Sequence, residues 1–288
     1  MISRKTFKNI SYKLILLSLL IVFWLWQNRA ASFSGTSVNY LDIGQGDAVY
    51  ILTDSGQDIL IDGGPDQALA GVLPKVMNSG DHYIDMVILT HPHADHVSGL
   101  LWVLVHYQIG EILLIQVDYQ SQVYKKFLEL IKEKSIKTAM VDGFHRYNFD
   151  QDTYLEILGP SQNHIEQVHS DVNHTSISSK FVDGKNKFFF GGDIEKEDED
   201  ELIEIYGHKL EADVMMAPHH GSHTSSTLEL IQAVSPQYTV ISSGQGNKYG
   251  HPHRDVLDRY MKLNIPILRT DQKGTITILS NGLNLSVK

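Results

Sequence analysis

Three imidazoles and one carboxylate fall within six positions in His91-Pro92-His93-Ala94-Asp95-His96. The apolar run Met86-Val87-Ile88-Leu89, read as a strand, leads straight into them. A strand end is a rigid platform, and the turn after it lets His91 and His93 converge on one divalent cation. Asp95 and His96 lie beyond that turn and are expected to serve a second. Imidazole nitrogen and carboxylate oxygen suit Zn²⁺ and also harder ions such as Mn²⁺. Two divalent ions are therefore expected, with Zn²⁺ favoured. The chain has no cysteine, so thiolate ligation and disulfides are excluded.

Other strand-like runs deliver the same kinds of residue. Phe188-Phe189-Phe190 ends in Gly191-Gly192-Asp193, where bare glycines let the backbone approach an ion, so Asp193 is a candidate ligand. Val214-Met215-Met216-Ala217 runs into Pro218-His219-His220-Gly221-Ser222. His219 is the choice for the second cation, with His220 as its neighbour or outer support, although spacing alone does not decide between them. His174, in Asn173-His174-Thr175-Ser176, is read as either a ligand or a loop residue. His251, in Tyr249-Gly250-His251-Pro252-His253, is read as a ligand or, preferred, as a residue beside the cations that faces substrate, binding a phosphate oxygen or serving as proton donor to a leaving alkoxide.

Asp47 and Asp62 sit in glycine-rich turns near strand ends. A metal-bound histidine commonly passes its other ring N–H to a carboxylate, a role expected of Asp62 and, less strongly, of Asp47. Ser222 lacks the Gly-x-Ser-x-Gly setting of a nucleophile and is read as a loop residue or a hydrogen-bond donor to phosphate. His223 is read as solvated or substrate-facing. His82, His106, His145, His164, His169 and His208 have no comparable setting and are read as surface or satisfied core positions. The acid-rich run 195–201 is read as a helix start whose carboxylates complement the dipole.

These residues need a layered α/β frame, and the pattern of short β-rich runs between helical stretches provides one. Strands are expected at 48–53, 58–62, 86–90, 111–115, 155–158, 176–182, 187–191, 212–217, 238–242, 267–270, 275–279 and 283–287. Helices are expected at 67–78, 97–107, 122–134, 196–206, 227–233 and 254–263. In the helix from Gln122, Val123, Phe127, Leu130 and Ile131 share a core-facing stripe. The net charge of −10, from 34 acidic and 24 basic side chains, argues against broad electrostatic attachment to nucleic acid. Arg4, Lys5, Lys8 and Lys13 precede an apolar run from Leu14 to Trp26. Residues 1–31 are expected to form a cytoplasmic basic flank and a single membrane anchor, or a signal peptide, with domain 32–288 outside the membrane.

His-x-His-x-Asp-His after a strand resembles the signature of the metallo-β-lactamase superfamily. Leu41-Asp42-Ile43-Gly44-Gln45-Gly46-Asp47-Ala48, Leu60-Ile61-Asp62-Gly63-Gly64 and Pro218-His219-His220-Gly221-Ser222 resemble, more narrowly, the hydrolase domain of ComEC-type competence proteins. The resemblance covers about residues 38–288. It implies a four-layer αββα sandwich, a metal-bridging role for Asp193, and hydrolysis by a metal-bound hydroxide. It also implies a phosphodiester substrate such as DNA and a separate uptake channel as partner, because ComEC carries this domain on a multi-span channel. Most superfamily members place at the position of His174 a histidine that completes the first metal's set, whereas ComEC-like domains show an Asn-rich turn and then Ser. Lactone, lactam or thioester hydrolysis and a non-catalytic DNA-uptake accessory module are the alternatives. Ligand-type residues kept at four places argue against the last.

Overall fold

The computed structural model describes residues 35–167 and 171–288, together with Ser18. The basic flank and apolar run expected within 1–31 lie outside the described residues, apart from Ser18, as does His169. No helix among the described residues is long and apolar enough to cross a membrane.

Two sheets carry the architecture. The first runs β15 (Leu285–Val287), β14 (Ile276–Ser280), β1 (Thr36–Tyr40), β2 (Val49–Leu52), β3 (Asp58–Ile61), β4 (Tyr83–Ile88), β5 (Gln108–Leu114), β6 (Thr138–Met140). The second runs β13 (Ile267–Arg269), β12 (Tyr238–Ile241), β11 (Val214–Met216), β10 (Asn186–Phe190), β9 (Ser178–Asp183), β8 (Thr153–Gly159), β7 (His145–Asn148). Helices α1 (Ala68–Val76), α2 (Ala94–His106) and α3 (Gln122–Glu133) belong to the first half. Short α4 (Gln162–Gln167), α5 (Lys196–Tyr206), α6 (Leu228–Val234), α7 (Arg254–Lys262) and α8 (Thr270–Lys273) follow.

Three apolar clusters separate four layers. Val38, Ile51 and Ile88 of the first sheet meet Phe181, Phe188 and Val240 of the second between the sheets. Alternate residues of the same strands face outward. Leu60, Val87 and Ile112 pack on Leu73, Leu100 and Phe127 of α1 to α3. Phe189, Met215 and Ile241 pack on Leu202, Leu230 and Tyr260 of α5 to α7. This two-sided burial explains why the central strands read as continuous apolar runs rather than as an alternation. In α3 the buried stripe is Tyr124, Phe127, Leu130 and Ile131, with Val123 only half-buried; Ser121 caps that helix by accepting from the Tyr124 N–H.

Several elements differ from the sequence reading. β1 pairs with β14 from Thr36↔Ser280 to Tyr40↔Ile276, a partnership across nearly the whole domain that a local pattern does not carry. β6, β7, α4 and α8 are short and partly exposed, so they lack a strong periodic signal. Helix α2 begins at Ala94 and not near Val97, with His93 as its N-cap. Asp95 and His96 therefore stand in a first helical turn.

Parallel pairing then brings the loops together. Ile61↔Ile88 aligns β3 with β4, Phe190↔Met216 aligns β10 with β11, and Met216↔Val240 aligns β11 with β12. The carboxyl ends of such strands are where α/β sheets place ligands. Close glycine contacts hold the loop after β3 against α2. A Cβ on Gly99 would lie 1.8 Å from the Gly63 carbonyl oxygen, and the Gly63 N–H donates to the His96 carbonyl at 2.7 Å. Gly71 in α1 is exposed, and a Cβ there meets nothing within 4 Å. Gly71→Ala is expected to stabilise the fold by up to about 1 kcal/mol through helix propensity. Gly99→Ala is expected to destabilise it by about 1–3 kcal/mol or more, because the backbone itself obstructs. Urea unfolding midpoints of the two variants should move in opposite directions.

Candidate metal centre

The sheet ends deliver their ligand-type residues to one buried point. Asp193, at the end of β10, is 2% exposed. Its Oδ2 lies 3.7 Å from His91 Nε2, 3.3 Å from His96 Nε2 and 3.5 Å from His220 Nε2. His220 Nε2 is also 3.5 Å from Asp95 Oδ2. Ligand atoms of His91, His93 and Asp193 form one compact group, and those of Asp95, His96 and His220 form another. His91 Nε2, His96 Nε2, His220 Nε2 and Asp193 Oδ1 are buried with no hydrogen-bond partner. Four such atoms at one point would be costly in a folded protein unless something satisfies them.

The outer contacts show which ring nitrogens are bare. Asp62, 0% exposed, accepts from the Thr90 N–H at 2.8 Å and the Thr90 hydroxyl at 2.7 Å, and lies 2.8 Å from His96 Nδ1. Since the Thr90 hydroxyl proton goes to Asp62, its oxygen accepts from His91 Nδ1, 3.1 Å away. Asp47 Oδ1 lies 3.0 Å from His220 Nδ1. Each ring thus spends its Nδ1–H outward and turns a lone pair on Nε2 inward, the tautomer that a cation needs. Asp47 and Asp62 lie against the outer nitrogens of His220 and His96, and Thr90 and Ser176 stand beside His91. Ser176 Oγ accepts from the Asp193 N–H at 3.1 Å and sits 3.4 Å from His91 Nδ1. Thr90 had a signal in its place at the strand end. Ser176 had none apart from the Asn-rich turn before it.

Burial disfavours charge on all of these groups, but the neighbours sort them. Asp193 is held well below the usual carboxylate range by His220 and His96 against that burial. His96 and His220 are raised, each lying between Asp193 and a second carboxylate, Asp62 or Asp47. Asp95 is lowered by contact with His220 and the charge of His96. His91 is pushed well down by burial and by His96. Carboxylates held anionic beside imidazoles, whose inward nitrogens give up a proton when a metal binds, make a donor set that fits divalent cations.

Three expectations need correction. His220, not His219, reaches the centre. Both residues adopt left-handed backbone, at φ 52° and 55°, a conformation costly for non-glycine residues and typical of functional turns. It swings His220 inward and leaves His219 at the rim, with Nδ1 3.3 Å from Glu195 Oε1 and Nε2 3.8 Å from Asp193 Oδ2. His174 does not join His91 and His93; its Nδ1 sits 2.9 Å from Asp198 Oδ2 in a separate group. Ser222 is buried in the turn, its Oγ 3.0 Å from Thr224 Oγ1, which agrees with the loop reading. His251 stands beside the centre, its ring 6.2 Å from that of His220. Burial, with His220, His253 and His219 around it, lowers its pKa to about 4, which holds the ring neutral and opposes its expected role as proton donor.

The acid run is also not uniform. Glu197 and Asp200 are exposed at the start of α5, as dipole-complementing acids should be, whereas Asp198 and Glu199 are buried.

The profile of the metallo-beta-lactamase superfamily matches residues 41–245. The chain belongs to this superfamily. ComE operon protein 3 of Bacillus subtilis is 27% identical over 273 residues, which cover 89% of this chain and 34% of that protein. Competence protein ComA of Neisseria gonorrhoeae is 30% identical over 258 residues, 90% of this chain and 34% of that protein. The chain thus spans about a third of the length of these relatives. The metallo-beta-lactamase fold protein YhfI of Bacillus subtilis superposes with a TM-score of 0.60 at 11% identity, covering 85% of this chain and 100% of that one. That likeness is one of fold. Membership in the superfamily, together with the His/Asp groups, implies binding of divalent metal.

Asp62→Asn is expected to lower metal affinity or metal-dependent activity roughly 10–100-fold while leaving the fold intact, since it unfixes the His96 tautomer. Competition of the variant against a chromogenic chelator would measure this; unchanged affinity and activity would remove Asp62 from the supporting role.

Proposed function

We propose that residues 35–288 form a metal-dependent phosphodiesterase that cuts single-stranded nucleic acid. The observation carrying the hydrolytic reading is the convergence of unpartnered buried donors of His91, His96 and His220 on Asp193. His91, His93 and Asp193 would hold one cation, and Asp95, His96 and His220 the other, Asp193 standing between the two groups. The imidazole content favours Zn²⁺ over Mn²⁺. Such ions supply a Lewis acid for a phosphoryl oxygen and lower the pKa of water toward neutrality.

The chain's own residues do the rest. Asp62, Thr90 and Asp47 hold the three rings in one tautomer, so no reorganisation is needed when substrate arrives. Neutral His251 is suited to hydrogen-bonding a substrate oxygen rather than to protonating it. The exposed Tyr249 ring lies 5.6 Å from that of His251 at an interplanar angle of 23°, with Lys248 Nζ 4.9 Å from the Tyr249 ring centre. An exposed aromatic with a cation beside it is the element on which unpaired bases stack. The resemblance to ComEC-type competence proteins favours DNA as substrate and an uptake channel as partner. In the same reading, the basic flank and apolar run of residues 1–31 anchor the domain outside the membrane, which a reporter fused after Lys288 would test.

Bis(p-nitrophenyl) phosphate, single-stranded DNA and nitrocefin, assayed side by side with Zn²⁺ and Mn²⁺, separate the chemistries. Cleavage of the first two but not nitrocefin is expected, with loss of activity in folded His93→Ala and Asp193→Ala. Tyr249→Ala should raise KM for DNA roughly ten-fold and leave the small phosphodiester unaffected, since one stacked base is worth about 1–3 kcal/mol. Nitrocefin turnover without phosphodiester cleavage would move the assignment to lactam or lactone chemistry.

A further inference from the structure

A second group of histidines and carboxylates lies away from Asp193, where α4 and the 3₁₀ turn Val172–Thr175 meet the start of α5. His164, His174 and Asp198 contribute ligand atoms within 4.8 Å of one another. Asp198 is 5% exposed and the two rings are partly buried. His164 Nε2 is buried and lies 2.7 Å from Asp198 Oδ1, an ion-pair contact. The other nitrogen, Nδ1, lies 2.6 Å from Glu201 Oε2, and Ser161 fixes that carboxylate by donating to its Oε1 at 2.7 Å. An imidazole whose Nδ1 rests on one carboxylate while Nε2 turns toward further donors is the arrangement of metal-ligating histidines. His174 Nδ1 completes the set, 3.0 and 2.9 Å from the two Asp198 oxygens. His164, His174 and Asp198 also border a cavity of about 10 Å³, space for one water-sized occupant.

We propose that His164, His174 and Asp198 form a third site for a divalent transition-metal ion, distinct from the Asp193 centre and independent of what that centre hydrolyses. Two imidazoles and a carboxylate suit Zn²⁺, with the remaining coordination left to water. The ion clamps α4 and the 3₁₀ turn onto α5. Both attachments lead toward the main centre. Ser176, just past the turn, contacts His91 and the Asp193 backbone. The Asp198 carboxylate also accepts from the Glu195 N–H at 2.8 Å, and Glu195 in turn contacts His219. A cation here would stabilise the rim of the main centre without touching its substrate.

The test is metal content. The purified full-length chain, loaded with Zn²⁺ and passed over a chelating resin, is analysed by plasma mass spectrometry beside His164→Gln and His174→Ala. Each variant should hold one equivalent less than the parent. His91→Ala combined with His96→Ala, which disrupts the main centre, should still lose a further equivalent on adding His164→Gln. A Co²⁺ titration of the parent chain should likewise show a visible band that His164→Gln removes. Equal Zn²⁺ content in the parent and both single variants would overturn the proposal and leave a protonated His164 held between Asp198 and Glu201. Because the readout is a difference in metal content, it stands apart from the phosphodiesterase reading, whose failure would appear only in the substrate panel.

Discussion

Asp193 sets the central constraint of this molecule. It is a carboxylate almost without solvent, at the end of an apolar strand, with the bare Nε2 atoms of three imidazoles facing it. An isolated charge at such depth would be expensive, and the surrounding rings satisfy it only incompletely, since their own inward nitrogens remain unpartnered. The arrangement closes electrically when cations occupy the space between. Much of the local architecture follows from that requirement. Asp62, Thr90 and Asp47 turn the Nδ1 sides of the rings outward, and the chain accepts left-handed backbone at Asp62, His219 and His220 to place these groups.

The scaffold makes that placement affordable. Central strands buried on both faces are rigid, so the loops at their carboxyl ends start from fixed positions. Backbone hydrogen bonds then stitch loop to loop: Asp62 N–H to the Ile88 carbonyl, Ile177 N–H to the Thr90 carbonyl, His219 N–H to the Gly192 carbonyl and His253 N–H to the Gly221 carbonyl. Each of these bonds ties one loop of the site to another. Where the chain must pass closer than a side chain allows, at Gly63 and Gly99, only glycine fits. The periphery is different in kind. His251, Tyr249 and His219 stand where the site opens, are more exposed, and are the residues best placed to discriminate among substrates.

Much of this was legible in the sequence. The cluster His91–His96, Asp193 at the end of its triple-Phe strand, and the glycine-flanked Asp47 and Asp62 all occupy the neighbourhood expected, because each follows an apolar run that must become a central strand. The α/β layering was legible for the same reason. Less could be read where one residue's direction matters. His219 and His220 are adjacent and chemically identical in sequence, and only the left-handed turn at Pro218–Gly221 decides which of them points inward. His164 carried no signal at all, since its partners Asp198 and Glu201 are more than thirty positions away and looked like ordinary helix-start acids.

The sequence by itself determined the kinds of atoms available and the strands that present them. Residue chemistry and hydrophobic periodicity are local properties, and a run of buried apolar residues ending in histidine or aspartate is hard to fold in any other way. Tertiary structure alone decided how those groups are shared. Parallel pairing of β10, β11 and β12, and of β3 with β4, determines which carboxylate meets which ring. Backbone dihedral angles in four-residue turns determine which nitrogen faces the centre. Those are relations between distant segments, so the division of the chain's histidines among a main centre, its rim and a separate group beside α5 exists only once the two sheets have packed.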